Sequence, residues 1–218
     1  MQTSPHVVRD VMTRAVVAVG RDAPFKDIVR LMERWKVSAL PVLEGEGRVI
    51  GVVSEADLLP KEEFRDGDPD RFTQRQRLSD LAKAGALTAE ELMSSPAVTV
   101  HGNTTLAEAA RIMARRNVKR LPVIDAEGKL DGVVSRSDLL KVFLRDDEDL
   151  TEEVRRGFVD RLFPLPADHI RVEVFEGVVT LTGWVDGAEL MPVAERPARA
   201  VEGIVDVRCQ LTGAIGTQ

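Results

Sequence analysis

Two hydrophobic rhythms alternate along this chain. Residues 16–19, Val-Val-Ala-Val, form a short β-branched run, and Pro24 then opens a stretch in which Phe25, Ile28, Val29, Met32 and Trp35 recur every three or four positions. That spacing puts them on one face of a helix, and such a face is expected to be buried. Two more apolar runs follow at 40–43 and 48–53, joined by Glu44-Gly45-Glu46-Gly47, which predicts two strands connected by a tight turn. The same order of strand, helix, strand, turn, strand and helix then recurs. Thr105 and Glu108 have the spacing of a capping box, Leu106, Ala109, Ala110 and Met113 repeat the helical stripe, and Asp125-Ala126-Glu127-Gly128 takes the place of the first turn.

The recurrence is an internal repeat. Slid by 81 positions, the segment from Met12 to Leu59 lies without a gap on Met93 to Leu140, and roughly two in five positions are identical. Val37-Ser38-Ala39-Leu40-Pro41-Val42 answers Val118-Lys119-Arg120-Leu121-Pro122-Val123. Gly51-Val52-Val53-Ser54-Glu55-Ala56-Asp57 answers Gly132-Val133-Val134-Ser135-Arg136-Ser137-Asp138. A unit of about 50 residues is too small to bury a good core alone, so the copies are expected to pack on each other as a pseudo-twofold pair. Two equivalent clefts follow from that symmetry, and they suit a ligand-sensing module better than a single active site.

Between the copies, residues 61–80 are charged and poor in apolar periodicity, with a turn at Asp66-Gly67-Asp68-Pro69; residues 78–87 carry a short helix. After Leu144 the run Arg145-Asp146-Asp147-Glu148-Asp149 reads as a solvated linker. Beyond it the pattern changes. It predicts a helix over 150–162, a strand at 169–175, a turn at Glu176-Gly177 into a partner strand at 178–185, a helix near 193–201, and a strand at 204–211. This is a separate small α+β domain, and Pro192 and Pro197 are expected to kink its second helix.

Composition narrows the function. The formal net charge is −6 with acidic and basic residues interspersed, so nucleic acid is not an expected partner. The single cysteine, Cys209, excludes an internal disulfide framework and reads as a small core residue on a strand. His6, His101 and His169 stand singly without metal-ligand spacing, so no metal is expected. The first residues lack a basic and an apolar signal region, and no apolar run reaches about 18 residues, which predicts a cytoplasmic protein. Trp35 reads as core; Trp184 reads either as core or as a surface aromatic for lipid or partner contact. Among Arg111, Arg115, Arg116, Lys119 and Arg120, most read as the wet face of a helix, whereas Arg120 lies beside the Leu-Pro-Val strand. No nucleophile, base or paired-carboxylate constellation is recognisable, and enzymatic activity is not expected.

Ser54-x-x-Asp57 and Ser135-x-x-Asp138 carry the clearest chemistry. A serine that ends a strand and starts a helix sets its hydroxyl beside free backbone N–H groups, which suits an anion, and an aspartate one turn later can accept both hydroxyls of a ribose. Serine at an N-cap with aspartate at N3 is equally a good helix start that needs no ligand. Spacing alone leaves both readings open.

The doubled blocks resemble a pair of CBS domains, the tandem regulatory unit called a Bateman module, over residues 8–144. The C-terminal part resembles a BON domain, through Glu176-Gly177-Val178-Val179-Thr180-Leu181-Thr182-Gly183 and Val201-Glu202-Gly203-Ile204-Val205-Asp206-Val207. The implied fold class is α+β: two tandem CBS repeats packed as a pseudo-twofold pair, plus a small α+β BON domain. The expected division is repeat one at 1–62, a charged linker at 63–87, repeat two at 88–144, and the BON domain at 150–214. The resemblance implies that each cleft combines the first strand of one repeat with the Ser-x-x-Asp of the other. Cleft one would then hold Thr13, Val16, Ala18 and Val37 with Arg120, Val133, Ser135, Ser137 and Asp138. In it Val16, Ala18 and Val37 would frame an adenine, Asp138 would hold the ribose, and Arg120, Ser135 and Ser137 would meet phosphate. Cleft two would use Ser94, Ala97, Thr99 and Val118 with Val52, Ser54 and Asp57. Ala39 and Ala56 stand there in place of Arg120 and Ser137, so cleft one is the expected ligand site.

What the resemblance implies for function is a cytoplasmic, non-catalytic regulator. Its CBS pair would bind an adenine nucleotide or adenosyl ligand (AMP, ADP, ATP, NAD or S-adenosylmethionine) and pass occupancy to the BON domain or a partner. The alternative is a dimeric adaptor whose BON domain tethers it to a membrane or protein surface without ligand sensing. Either way a homodimer through the CBS domains and a phospholipid or protein partner for the BON domain are implied.

Overall fold

The structure is a computed structural model that describes residues 6–64, 78–159, 170–185 and 191–213. The turn expected at 66–69, the end of the helix expected to reach 162, and His169 lie outside the described residues. The chain divides into two compact units, Val7–Asp138 and the combination of Met1–His6 with Leu139–Gln218.

The first half of the larger unit runs α1 (Val8–Val11), β1 (Val19–Gly20), α2 (Phe25–Trp35), β2 (Ala39–Glu44), β3 (Arg48–Ser54), α3 (Glu55–Leu58) and α4 (Pro60–Glu63). From residue 78 onward come α5 (Leu78–Gly85), α6 (Ala89–Leu92), β4 (Val100–His101), α7 (Leu106–Arg116), β5 (Arg120–Ile124), β6 (Leu130–Ser135) and α8 (Arg136–Leu140). Each repeat builds a three-stranded sheet, β1-β2-β3 and β4-β5-β6, with a parallel first pair and an antiparallel second pair. The hairpin turns predicted by Gly47 and Gly128 form with both glycines at positive φ, a conformation that a Cβ would strain. The helices α2 and α7 both end on a left-handed residue, Lys36 and Asn117, 81 positions apart.

The halves interlock through contacts that obey the repeat. Thr13 and Val133 exchange backbone hydrogen bonds at 2.9 Å, and their counterparts Ser94 and Val52 do the same at 2.9 and 3.2 Å. Val7 bridges to Thr105, and its counterpart Thr88 bridges to Pro24. The bridge between Arg48 and Lys129 maps onto itself under the repeat and therefore marks the pseudo-twofold axis. The segment ahead of each repeat thus belongs structurally to the other one. Ala86, Ala89 and Leu92 accordingly sit in one buried cluster with Ile28, Leu40 and Val53 of repeat one.

Two expectations are corrected. The strand expected at 16–19 is confined to Val19–Gly20, because Thr13 is already paired to β6 and the chain uses the intervening residues to cross to β2. On α2, Ile28 and Met32 are buried, whereas Val29 is 41% and Trp35 54% exposed. Trp35 is the last residue of the helix, and its ring lies 5.7 Å from the guanidinium of Arg34 and not in the core.

In the smaller unit, a 3₁₀ turn at Lys141–Leu144 precedes α9 (Asp147–Val154) and a π-helical turn at Arg155–Val159. Then come β7 (Ile170–Phe175), β8 (Val178–Val185), α10 (Met191–Arg199) and β9 (Asp206–Gly213). The sheet order is β7-β8-β9, antiparallel and then parallel. Leu150 and Val154 of α9 pack with Val179, Leu181, Ala198 and Val207 in its core, and Cys209 lies half-buried against them. Pro197 is accommodated inside α10 next to the fully buried Ala198. Trp184 is 42% exposed, which favours its surface reading over the core one.

The acidic run is not a solvated linker. Asp147 caps the β7–β8 turn, its carboxylate accepting the amides of Glu176 at 2.8 Å and Gly177 at 2.9 Å. Arg145 donates to the Glu202 carbonyl at 2.8 Å and pairs with Glu153 at 2.6 Å. Charge density alone points to solvent, whereas the amides of the β7–β8 turn need an acceptor and Asp147 is it.

Candidate functional site

The antiparallel hairpin of each repeat ends in its Ser-x-x-Asp, and the segment paired to that hairpin comes from the other repeat. Val52 and Ser94 are joined by a backbone bridge, so β3 and the stretch after α6 run side by side. Beside them opens a cavity of about 570 Å³, within the range of about 300–1,000 Å³ typical of small-molecule sites.

Its apolar wall comes from Pro96, Ala97 and Val98 with Val52 and Val118. Ser54, Asp57 and Ser94 supply hydroxyls and a carboxylate, and Arg116, Lys119 and Arg120 supply three cations. This is cleft two, with Ser94, Ala97, Val118, Val52, Ser54 and Asp57 brought together. The lining stops at Val98, so Thr99 is not part of it.

Arg120, expected in cleft one, lines both this cavity and the one beside Val37. It lines the cleft-two cavity, although Ala39 and Ala56 occupy the positions that match Arg120 and Ser137. Arg116 and Lys119, read from sequence as a wet helix face, line the same cavity. They are missed by an i,i+4 argument because α7 ends at Arg116 and the left-handed Asn117 redirects the chain, so Arg116 and Lys119 meet the cleft from either side of the helix end.

For cleft one, Thr13 and Val133 are joined as stated, and Ser135, Ser137 and Asp138 form a local cluster. The Ser135 hydroxyl lies 2.8 Å from that of Ser137, and Asp138 accepts the Ser135 amide at 2.9 Å. Val16 and Ala18 are half-buried. Val37 is placed with Arg120 and Ser38 on a second cavity of about 370 Å³ between α2 and α3.

Both Ser-x-x-Asp motifs close on themselves. In repeat one the Ser54 amide and hydroxyl each donate to Asp57 at 2.7 Å. In repeat two the Ser135 amide and hydroxyl both donate to Asp138. The serine hydroxyls are thus engaged by the helix start, as the ligand-free reading of the motif requires. Asp57 goes further: it is buried, and its second oxygen takes an ion pair from Lys83 of α5 and a hydrogen bond from Ser94 at 3.4 Å.

A doubled strand-helix-hairpin unit, interlocked about a pseudo-twofold axis with a cleft where the copies meet, defines a protein of the CBS-pair class. The chain belongs to the CBS-domain family, whose profile matches residues 8–61 and 89–145, and it carries a BON domain at 146–214. It is similar to the chloroplastic CBS domain-containing protein CBSX2 of Arabidopsis thaliana, at 31% identity over 155 residues, covering 64% of each chain. The crystal structure of CBSX2 in complex with AMP matches with a TM-score of 0.56 at 30% identity, covering 64% of this chain and 97% of that one. An uncharacterized protein of Methanocaldococcus jannaschii is 27% identical over 154 residues, 63% of this chain and 91% of the relative. Among the described residues no helix is long and apolar enough to cross a membrane.

Proposed function

We propose that the CBS pair binds an adenosine-containing ligand, AMP in the first instance, in cleft two, and that occupancy regulates the BON domain or a partner. The observation that carries this reading is the composition of one cavity: an apolar wall for a base, a buried carboxylate for a ribose, and three cations for phosphate. Val98, Ala97 and Val118 would sandwich the adenine, Asp57 would accept the ribose hydroxyls, and Arg120, Lys119 and Arg116 would neutralise phosphate. AMP is the ligand in the related CBSX2 structure, which supports the choice of first probe. Other members of the class (ADP, ATP, NAD and S-adenosylmethionine) share the adenosine and are distinguished by what they place against the cations. The role is non-catalytic and cytoplasmic in this reading. A homodimer through the CBS unit is in keeping with the exposed apolar side chains of Val29 and Trp35 on α2 and of Leu59 after α3.

The adaptor reading has one observation in its favour, namely that both Ser-x-x-Asp motifs are satisfied without a ligand. A thermal-shift panel separates the two. A ligand at about one hundred times its dissociation constant adds roughly 2.7 kcal/mol to stability, which is a readily visible shift. The proposal expects AMP to raise the unfolding temperature; no shift with any of the five compounds at millimolar concentration favours the adaptor.

A further inference from the structure

Asp57 has no acceptor position left. An ionised carboxylate offers about four lone-pair sites on its two oxygens. One oxygen receives the Ser54 amide and hydroxyl, both at 2.7 Å, and the other receives Lys83 and, at 3.4 Å, the Ser94 hydroxyl. A ribose diol needs two of those positions. The Ser54 contacts start α3 and are part of the local fold, so the positions that can be vacated are those on the oxygen held by Lys83.

Lys83 arrives from outside the repeat. It lies on α5, in the stretch between the copies, and position 2, which precedes it by 81 residues, is a glutamine. The repeat therefore places no lysine at the corresponding position of the sequence. The pair is largely withdrawn from water, with side-chain exposures of 20% for Lys83 and 10% for Asp57. A charge pair so placed is not screened away like a surface pair, and releasing it leaves a carboxylate that needs new donors. A ribose diol supplies two. Helix α5 is itself held at its C-terminal end, where Ala86 is buried in the repeat-one core and the Lys61 ammonium donates to the Ala84 carbonyl at 3.0 Å.

We infer that Lys83 is an internal competitor for the ribose subsite of cleft two: it occupies Asp57 in the ligand-free protein and is displaced from it when an adenosyl ligand binds. The inference rests on the cleft-two reading above and adds its regulation. Ligand affinity is set by the fraction of molecules in which Lys83 is off Asp57, and the same exchange transmits occupancy to α5.

The test is calorimetric titration of AMP into the full chain and into Lys83→Met and Lys83→Arg, with thermal unfolding to confirm that each is folded. Lys83→Met keeps the aliphatic stem and removes the charge, and it is expected to bind AMP at least tenfold more tightly; Lys83→Arg keeps the competitor and is expected to stay within about threefold of the parent. Hydrogen exchange of the α5 amides in the unaltered chain gives a second reading that needs no variant, and saturating AMP is expected to speed it. If the parent binds AMP but Lys83→Met binds it equally or more weakly, and α5 exchange does not respond, the competitor role is overturned and the nucleotide reading stands. If neither the parent nor any folded variant binds AMP, the nucleotide reading falls and the competitor role with it.

Discussion

Met12 packs on the bare Cα of Gly132. A Cβ placed there would stand 2.8 Å from the Met12 sulfur and 3.0 Å from the carbonyl oxygen of Thr13. Met93 packs in the same way on Gly51, and there the close neighbours are all atoms of the methionine side chain. These contacts lie where each repeat receives the segment that precedes the other, so they test the interlocking directly.

Gly132→Ala and Gly51→Ala are both expected to destabilise the CBS unit by about 1–3 kcal/mol, the usual cost of overpacking. The pairs differ in rescue. Met93→Ala should restore most of what Gly51→Ala loses, whereas Met12→Ala should restore only part of what Gly132→Ala loses, because the Thr13 carbonyl cannot step aside. Urea unfolding of the two double-mutant cycles reads this, and equal rescue in both would refute the backbone contact.

Glu91 provides a pH-dependent term. Its carboxylate accepts the amides of Leu87 at 2.6 Å and Thr88 at 3.2 Å at the start of α6, and these bonds hold it below the ordinary glutamate value. A depressed folded-state value means that the contribution is present above the ordinary pKa of about 4.5 and is lost as pH falls through the lower folded value. Glu91→Gln should therefore unfold at a lower temperature than the parent at pH 7, with the gap closing below pH 4. A gap independent of pH would show that the amides do not favour the charged form.

Asp147 should behave as an anchor of the C-terminal unit. Asp147→Ala leaves the Glu176 and Gly177 amides without their acceptor and is expected to cost that unit about 1.5–3 kcal/mol. In a Trp35→Phe background Trp184 is the remaining tryptophan and reports on this unit alone. An unchanged Trp184 transition would return the acidic run to the role of a solvated linker.

Much of the fold is written in the chain's period. The offset that superposes Gly51 on Gly132 also relates the bridge Thr13–Val133 to Ser94–Val52, so symmetry read from sequence carried through to hydrogen bonds. The hairpins followed from glycines that tolerate positive φ. Other features were not readable, and for physical reasons. Helical spacing marks Trp35 for the core but does not say that the helix ends there. Charge marks Lys83 and Asp147 as solvated, yet a buried carboxylate and a pair of turn amides outcompete water for them. Aligned positions do not report which residues share a cavity: Ala39 and Ala56 place no cation or hydroxyl in cleft two, while Arg120 of the other copy lines it.

If the cations of cleft two hold the ligand's phosphate, titration of AMP into Arg120→Ala and Ser137→Ala beside the parent reveals it. Arg120→Ala is expected to weaken binding by roughly ten- to a hundred-fold, the worth of a charged hydrogen bond, and Ser137→Ala to leave it unchanged. Because Arg120 also lines the cavity beside Val37, Ser137 is the discriminating position: a loss of affinity in Ser137→Ala comparable to that in Arg120→Ala would put the ligand in cleft one.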